Sequence, residues 1–264
     1  PWIYRVPDSF DPKKYCLRRK DLKLMARANR LALVAAVLAT EDAGLEYGTM
    51  ESAGIYLGVG REPGNLSDIL PALSHSLDDA GHLDLNRLGS DGIGWMNPLS
   101  SLKTLPNMSL AHMAIRVGAM GPSATFCDGP NSGCQALLEG LEAIRRGRAP
   151  IVLAGATDSR TSYSDRLTAA RLGTQQTVGE AASIFVLESE AHAHERGANI
   201  IGYIVPTFGR NELSPMPFGD VGAATNATGL ALALNAGLGI SGGEVGVIPT
   251  GVEGVLRPEP SPLS

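Results

Sequence analysis

Two cysteine side chains of this chain could act as nucleophiles, because both lie beside a Gly-Pro-Asn sequence that is typical of a tight turn. Cys127 ends a short β-prone run that starts at Ser123, and Cys134 starts a segment with helical spacing of apolar residues. A strand, a tight turn and a helix in this order form an elbow that places one side chain beneath a helix N-terminus. The backbone N–H groups there lower the pKa of a thiol and stabilise an oxyanion. The residue at the tip of the turn therefore decides what chemistry the elbow can perform.

The elements around this elbow predict an α/β fold. Residues 134–146 form a helix with leucine and isoleucine on one face, and Asn131 or Ser132 is expected to cap it. An apolar strand follows at 150–154, and the chain is expected to turn at 155–158. A strand-helix-strand unit implies a right-handed crossover, and hence a mainly parallel sheet between helical layers.

The rest of the chain alternates between helical and extended patterns. A helix is expected from Asp21, as its N-cap, to about Asp42, where Gly44 ends it. The other predicted helices are 68–77, 108–117, 188–196 and 223–238, and the other predicted strands are 53–59, 183–187, 202–207 and 245–248.

Composition sets limits on function. The 264 residues are 44% hydrophobic and 19% charged, as in a folded globular protein. The net charge of -5 gives no support for nucleic-acid binding. The longest apolar run, 31–39, is too short to span a bilayer, and no signal-peptide pattern opens the chain, so a cytoplasmic protein is expected.

Metal and cofactor sites are not expected. The chain has three cysteines without a C-x-x-C pair, which argues against a disulfide framework or a zinc site. His192 and His194 are two residues apart on a predicted helix, so their side chains point in different directions. The glycine-rich turn at 60–64 lacks the Lys-Ser/Thr of a phosphate loop.

Residues 105–158 resemble the N-terminal half of a β-ketoacyl synthase of the thiolase superfamily. The matching pieces are Pro106-Asn107-Met108, His112, Gly121-Pro122-Ser123, Ser132-Gly133 and Val152-Leu153-Ala154-Gly155-Ala156. The resemblance implies a thiolase-like fold, here truncated at both ends. It also implies a single domain over 1–264, with a first-half core at 21–208, the start of a second half at 209–256 and a frayed tail at 257–264.

The resemblance further implies that the family's catalytic groups are missing. An ungapped count from Gly121-Pro122-Ser123 to Ser132-Gly133 puts the family's nucleophilic cysteine at Pro130, which has neither a thiol nor an N–H. The same kind of count from the strand 245–248 puts the family's first catalytic histidine at Gly251. A non-catalytic subunit of the chain-length-factor type is therefore expected.

Such a subunit implies particular partners. In ketosynthase dimers, one segment of each subunit reaches across the two-fold axis to the acyl tunnel of the other subunit. By resemblance, four residues of this chain would shape the tunnel of an active ketosynthase in this way: Leu99, Ser100, Leu102 and Met108. The expected assembly is a heterodimer, or failing that a homodimer, in dissociated (type II) fatty-acid or polyketide synthesis. Acyl groups would arrive on the phosphopantetheine of an acyl carrier protein. Six basic residues could meet that acidic protein, or simply form a solvated face: Lys13, Lys14, Arg18, Arg19, Lys20 and Lys23.

Two other interpretations remain open at this point. One is an acyltransferase-type enzyme that uses Cys127, or less plausibly Cys134, as an atypical nucleophile. The other is a structural ketosynthase remnant without influence on the product. Free cysteines usually behave as small buried hydrophobes, which favours a structural role for both thiols.

Overall fold

The fold is built on a mixed sheet, described by a computed structural model over residues 2–7, 9–62, 64–171, 178–202, 204 and 257–260. Only the backbone is described for residues 2–4 and 257–260. The strands of the described residues are β1 Trp2–Arg5, β2 Gly54–Val59, β3 Ser123–Phe126, β4 Ile151–Ser159, β5 Val178–Glu188 and β6 Arg257–Pro260, in the order β3-β2-β4-β5-β1-β6.

Helices cover both faces of this sheet. Those of the described residues are α1 Arg27–Asp42, α2 Leu66–His75, α3 Leu85–Gly89, α4 Ser100–Thr104, α5 Met108–Val117, α6 Ser132–Arg145, α7 Tyr163–Arg171 and α8 Glu190–Glu195. Short 3₁₀ turns lie at Pro12–Lys14, Arg19–Leu24, Gly92–Trp95 and Gly129–Asn131. No helix among the described residues has both the length and the apolar content needed to cross a bilayer.

Strand directions follow from the connections. The elements β3, α6 and β4 form the predicted crossover, and both strands lie parallel to β2, which separates them. The strand β5 is antiparallel to β4, because the chain turns back at the same sheet edge and Ser159 pairs with Glu180. The prediction of an α/β arrangement, with a mixed and mainly parallel sheet between helical layers, is confirmed.

Two apolar clusters hold the layers together. Alternate residues of a strand point to opposite faces, so Ile55 and Leu57 of β2 pack with α1 and α5, whereas Tyr56 packs with α6. All residues of β2 and β4 are buried, which identifies them as the central strands. This core holds the carboxyl ends of β2, β3 and β4 together at one edge of the sheet.

The elements α1 and β4 depart from their predicted bounds. The helix α1 begins at Arg27, because the preceding residues form a 3₁₀ turn in which Asp21 accepts a hydrogen bond from Arg18 (3.0 Å). The strand β4 continues to Ser159, so 155–158 are extended and buried by pairing with β5. Residues 257–260, within the tail expected to fray, form a strand antiparallel to β1.

The predicted helix 223–238, the predicted strand 245–248 and Gly251 lie outside the described residues, as does most of the strand predicted at 202–207.

Candidate functional site

The elbow predicted from the sequence is present, with Pro130 exposed in its turn. The strand β3 ends at Phe126, a 3₁₀ turn spans Gly129–Asn131, and α6 starts at Ser132. The Ser132 hydroxyl accepts a hydrogen bond from the N–H of Asp128 (2.7 Å) and donates one to the carbonyl of Gly129 (2.8 Å). This buried hydroxyl braces the turn and is not free to act as a nucleophile.

The elbow lacks two of the N–H groups that an oxyanion could use. Pro130 has no N–H, and the N–H of Ser132 is already bonded to the carbonyl of Gly129. The expected side-chain cap on α6 was wrong: Asn131 occupies the N-cap position without a capping hydrogen bond, and Ser132 bonds backward into the 3₁₀ turn. The elbow thus has the strand-turn-helix shape that holds a nucleophile in other enzymes, but residue 130 in its turn has neither a thiol nor an N–H.

The elbow rests directly on β2. A Cβ atom added at Gly58 would lie 2.5 Å from the backbone nitrogen of Gly133 and from the carbonyl carbon of Ser132. Only glycine allows this approach of strand to helix backbone. A glycine inside an apolar strand is the sequence signal for such a contact.

The cysteines at the elbow lack the features of activated thiols. Cys127 is exposed, Cys134 is half-buried, and neither is in a disulfide. Partial burial raises the pKa of the Cys127 thiol, which disfavours the reactive thiolate. Among the described residues, no histidine hydrogen-bonds to either thiol, and no group of three metal-ligating side chains could hold an ion.

Glu180 is a buried carboxylate at the same sheet edge that the sequence analysis did not identify. Its side chain is fully buried, with a 2.7 Å ion pair to Arg27. It also accepts hydrogen bonds from the hydroxyl of Ser159 (2.9 Å) and the backbone N–H of Val6 (2.9 Å). The carboxylate thus joins the N-terminal segment, α1, β4 and β5. Its signal in the sequence was a glutamate at the start of an apolar run.

Glu62 is a second acidic group beside this network. Its carboxyl accepts a hydrogen bond from the N–H of Ala28 (3.3 Å) in the first turn of α1. Burial raises the pKa of Glu62 to about 7, and the negative charges of Asp158, Asp165 and Glu180 add to this rise. A carboxyl that titrates near neutral pH thus lies near the ends of β2 and β4.

The predicted tunnel residues lie on another part of the surface. Leu99 precedes α4 and is 47% exposed, Ser100 and Leu102 are on α4, and Met108 is the first residue of α5. The helix α4 packs against α5 and the Arg19–Leu24 turn, whereas the elbow packs against β2. An ion pair between Lys103 and Asp68 (2.7 Å) anchors α4 to α2. The structure therefore brings these four residues together on one segment, apart from the elbow.

Comparison with known proteins identifies relatives of this chain. A family model described as the N-terminal domain of beta-ketoacyl synthase matches residues 3–191. A Streptomyces cyaneus protein classed as polyketide beta-ketoacyl synthase 1 is 28% identical over 214 residues, which are 72% of this chain and 49% of that protein. The 3-oxoacyl-[acyl-carrier-protein] synthase 2 of Staphylococcus aureus is 24% identical over 230 residues, 78% of this chain and 54% of that protein.

Solved structures share the fold. One is the structure of a type II PKS acyl-carrier protein in complex with its ketosynthase bound to the hexaketide. A chain of that structure superposes on this chain with a TM-score of 0.62 at 24% identity, over 75% of this chain and 56% of that chain. The ishigamide ketosynthase/chain length factor gives a TM-score of 0.58 at 24% identity, over 75% and 49%. The chain spans about half the length of the curated relatives it matches.

Proposed function

The chain belongs to the β-ketoacyl synthase family, and from that premise we propose that it is a non-catalytic subunit of the chain-length-factor type. It pairs with an active β-ketoacyl synthase in the cytoplasm and limits the length of the acyl chain made by a type II polyketide or fatty-acid system.

The observation that carries this proposal is Pro130 at the tip of an otherwise intact elbow. Decarboxylative condensation needs a thiolate to hold the growing acyl chain and donors to stabilise the developing negative charge. At residue 130 the imino acid provides neither. The braced hydroxyl of Ser132 cannot replace the thiol, because both of its hydrogen bonds hold the turn.

An enzyme that uses Cys127 is the competing function, and it is the weaker one. The thiol is exposed, so an acyl donor could reach it. However, its raised pKa keeps it protonated at neutral pH, and no described histidine is hydrogen-bonded to it to remove the proton. A reactive cysteine generally has the opposite properties.

Exposed strand and apolar surface support a protein partner. Among the described residues, β3 pairs with β2 on one side and with no strand on the other. Met120, just before this strand, is 73% exposed, and Ile115 of α5 is 63% exposed. An unpaired strand edge beside apolar side chains is a surface that proteins usually cover. On this proposal, Leu99, Ser100, Leu102 and Met108 reach the tunnel of that partner.

The Lys13–Lys23 region supports delivery of acyl groups by an acyl carrier protein. All six of its basic side chains are exposed, in a chain whose net charge is -5. A local positive surface on an acidic protein attracts an acidic partner. The phosphopantetheine arm would then carry the acyl group, and no other cofactor is needed.

Co-production with the active ketosynthase of the same gene cluster tests the proposal. We expect the two chains to co-purify, and we expect Leu102→Trp to shorten the product, because a larger side chain fills the end of the tunnel. Leu167→Trp, at an exposed position on α7, is the matched control and should leave the product unchanged. Unchanged product length in both variants would favour a structural remnant.

The enzymatic alternative is tested in the same system. We expect Cys127→Ala to leave acyl loading of the complex unchanged, as measured by mass spectrometry of the intact chains. Loss of an acyl adduct from this chain in Cys127→Ala would instead identify it as an acyltransferase.

A further inference from the structure

A junction of α1, α5 and the Arg19–Leu24 turn contains buried nitrogen atoms without acceptors. Asn29 of α1 is 1% exposed and His112 of α5 is 8% exposed. Among the described residues, Asn29 Nδ2, His112 Nε2 and Arg30 Nε are buried and have no hydrogen-bond partner. A buried donor without an acceptor costs about 1–3 kcal/mol, so the unpartnered donors of Asn29 and Arg30 call for an occupant.

The contacts of these residues place them at one junction. The Oδ1 atom of Asn29 accepts a hydrogen bond from the hydroxyl of Ser109 (3.0 Å), one turn before His112 on α5. Arg30 follows Asn29 on α1, and its Nη2 atom donates to the carbonyl of Leu22 (2.9 Å). Asp21, beside Leu22, is close enough to His112 to raise its pKa, although burial has the larger effect and lowers it.

The guanidinium of Arg30 is the charged donor at this junction. No carboxylate of the described residues forms an ion pair with Arg30, and Asp21 is bonded to Arg18 (3.0 Å). Burial and the neighbouring charge of Arg27 lower the pKa of the Arg30 guanidinium, whose ordinary value is so high that the group stays charged. A partly buried cation without a counter-ion is costly.

We propose that this junction binds a small inorganic anion such as chloride, held by the Arg30 guanidinium and the Asn29 side-chain amide, with His112 beside it. An anion accepts hydrogen bonds from the donors and also neutralises the charge of the guanidinium. A water molecule accepts hydrogen bonds but leaves that charge without a counter-ion. The site does not overlap the elbow, because it lies between two helices on the sheet face opposite α6.

Chlorine-35 NMR of the intact chain tests the site. Chloride bound to the wild type broadens the chloride signal, and we expect Arg30→Gln to weaken binding about tenfold, since a charge-assisted hydrogen bond contributes at least about 1.4 kcal/mol. Arg19→Gln, in the exposed part of the neighbouring turn, makes the same change in net charge and should leave the broadening intact.

A second readout reports on the orphan donor itself. We expect the side-chain amide resonance of Asn29 to shift on chloride titration and to saturate with the same affinity, in the wild type and in Arg19→Gln. If Arg30→Gln does not fold, as judged by circular dichroism, Arg30→Lys retains the charge but loses the Nε donor, and should bind chloride more weakly. Absence of excess broadening in the wild type, or equal broadening in the wild type and the Arg30 variant, would overturn the proposal and leave water as the occupant.

Discussion

At the scale of residues, Pro130 bears on the proposed function and Glu62 on the pH dependence of stability. Pro130, in the turn of the elbow, has neither a thiol nor a backbone N–H, and the proposed non-catalytic role rests on both absences. Glu180 is a different case, because its buried carboxylate accepts hydrogen bonds from Arg27, the N–H of Val6 and the hydroxyl of Ser159. Breaking such a buried pair usually costs about 3–5 kcal/mol, since the remaining charge is left alone. The Arg27–Glu180 pair is therefore expected to contribute to stability.

Glu62 makes stability depend on pH. Its pKa is about 7 in the folded chain and near its ordinary value of 4.5 in the unfolded chain. The folded state therefore binds the extra proton, and its contribution to stability is full below pH 4.5 and is lost as the pH rises to about 7. We expect the free energy of unfolding of the wild type to fall by up to about 3 kcal/mol across this range, at about 1.4 kcal/mol per pKa unit.

The variant Glu62→Gln should remove this slope, because an amide accepts the Ala28 N–H without titrating. Urea unfolding at pH 5 and pH 8 measures the difference between wild type and variant. Glu195→Gln, at an exposed position on α8, is the control and should follow the wild type. If the free energy of unfolding changed equally between pH 5 and pH 8 in the wild type and in Glu62→Gln, the raised pKa of Glu62 would be contradicted.

At the scale of elements, the close packing of β2 against α6 fixes the elbow. Gly58 leaves room for the backbone of Ser132 and Gly133, and neither backbone atom can rotate away as a side chain would. We expect Gly58→Ala to destabilise the fold by about 3 kcal/mol, at the upper end for overpacked cores. Chemical denaturation followed by far-UV circular dichroism measures the change.

Gly94→Ala provides the matched control for Gly58→Ala, because a Cβ atom at Gly94 has no neighbour within 4 Å. Its effect should stay within about 0.5 kcal/mol, as for most surface substitutions. If the two variants were equally stable, α6 would have to shift away from β2 at little cost, and the rigidity of the elbow would be disproved.

Elements with a strong local pattern could be predicted from the sequence, and those set by distant contacts could not. The helix α5 was predicted with its observed bounds, since its apolar residues repeat at helical spacing and Gly118 ends it with a φ of 80°. The start of α1 was missed because Asp21 bonds to Arg18 instead of capping the helix. The extension of β4 to Ser159 depends on pairing with β5, which no local pattern encodes.

The same distinction applies to the candidate site. The elbow and Pro130 could be located by local spacing and family resemblance, because turn residues carry their own signal. The contacts of Glu180 with Val6 and Arg27 join residues far apart in the chain, so only the fold reveals them. The unpartnered side-chain nitrogens of Asn29 and His112 likewise appear only when α1 packs on α5.

At the scale of the whole molecule, charge is distributed unevenly. The chain carries 27 acidic and 22 basic residues, yet six of the basic ones are exposed within the segment 13–23. The helix α4, which follows Leu99, packs against the Arg19–Leu24 turn in this segment. A carrier protein docked there would lie beside the residues proposed to shape the partner's tunnel. The surface that attracts the carrier protein and the residues that control the product would then lie on one face of the chain.

Reversing charge on this face should weaken carrier-protein binding in a salt-dependent way. We expect Lys20→Glu combined with Lys23→Glu to lower the affinity for an octanoyl-carrying acyl carrier protein about tenfold at low ionic strength, since like charges then meet. The difference should shrink as added salt shortens the screening length to about 10 Å at 0.1 M. Surface plasmon resonance on the complex with the active ketosynthase measures both effects.

The control is Arg145→Glu combined with Arg148→Glu, two exposed positions at the end of α6. This double variant changes the net charge equally and should have little effect on carrier-protein binding. Equal losses in the two double variants would show that net charge, and not this face, governs docking.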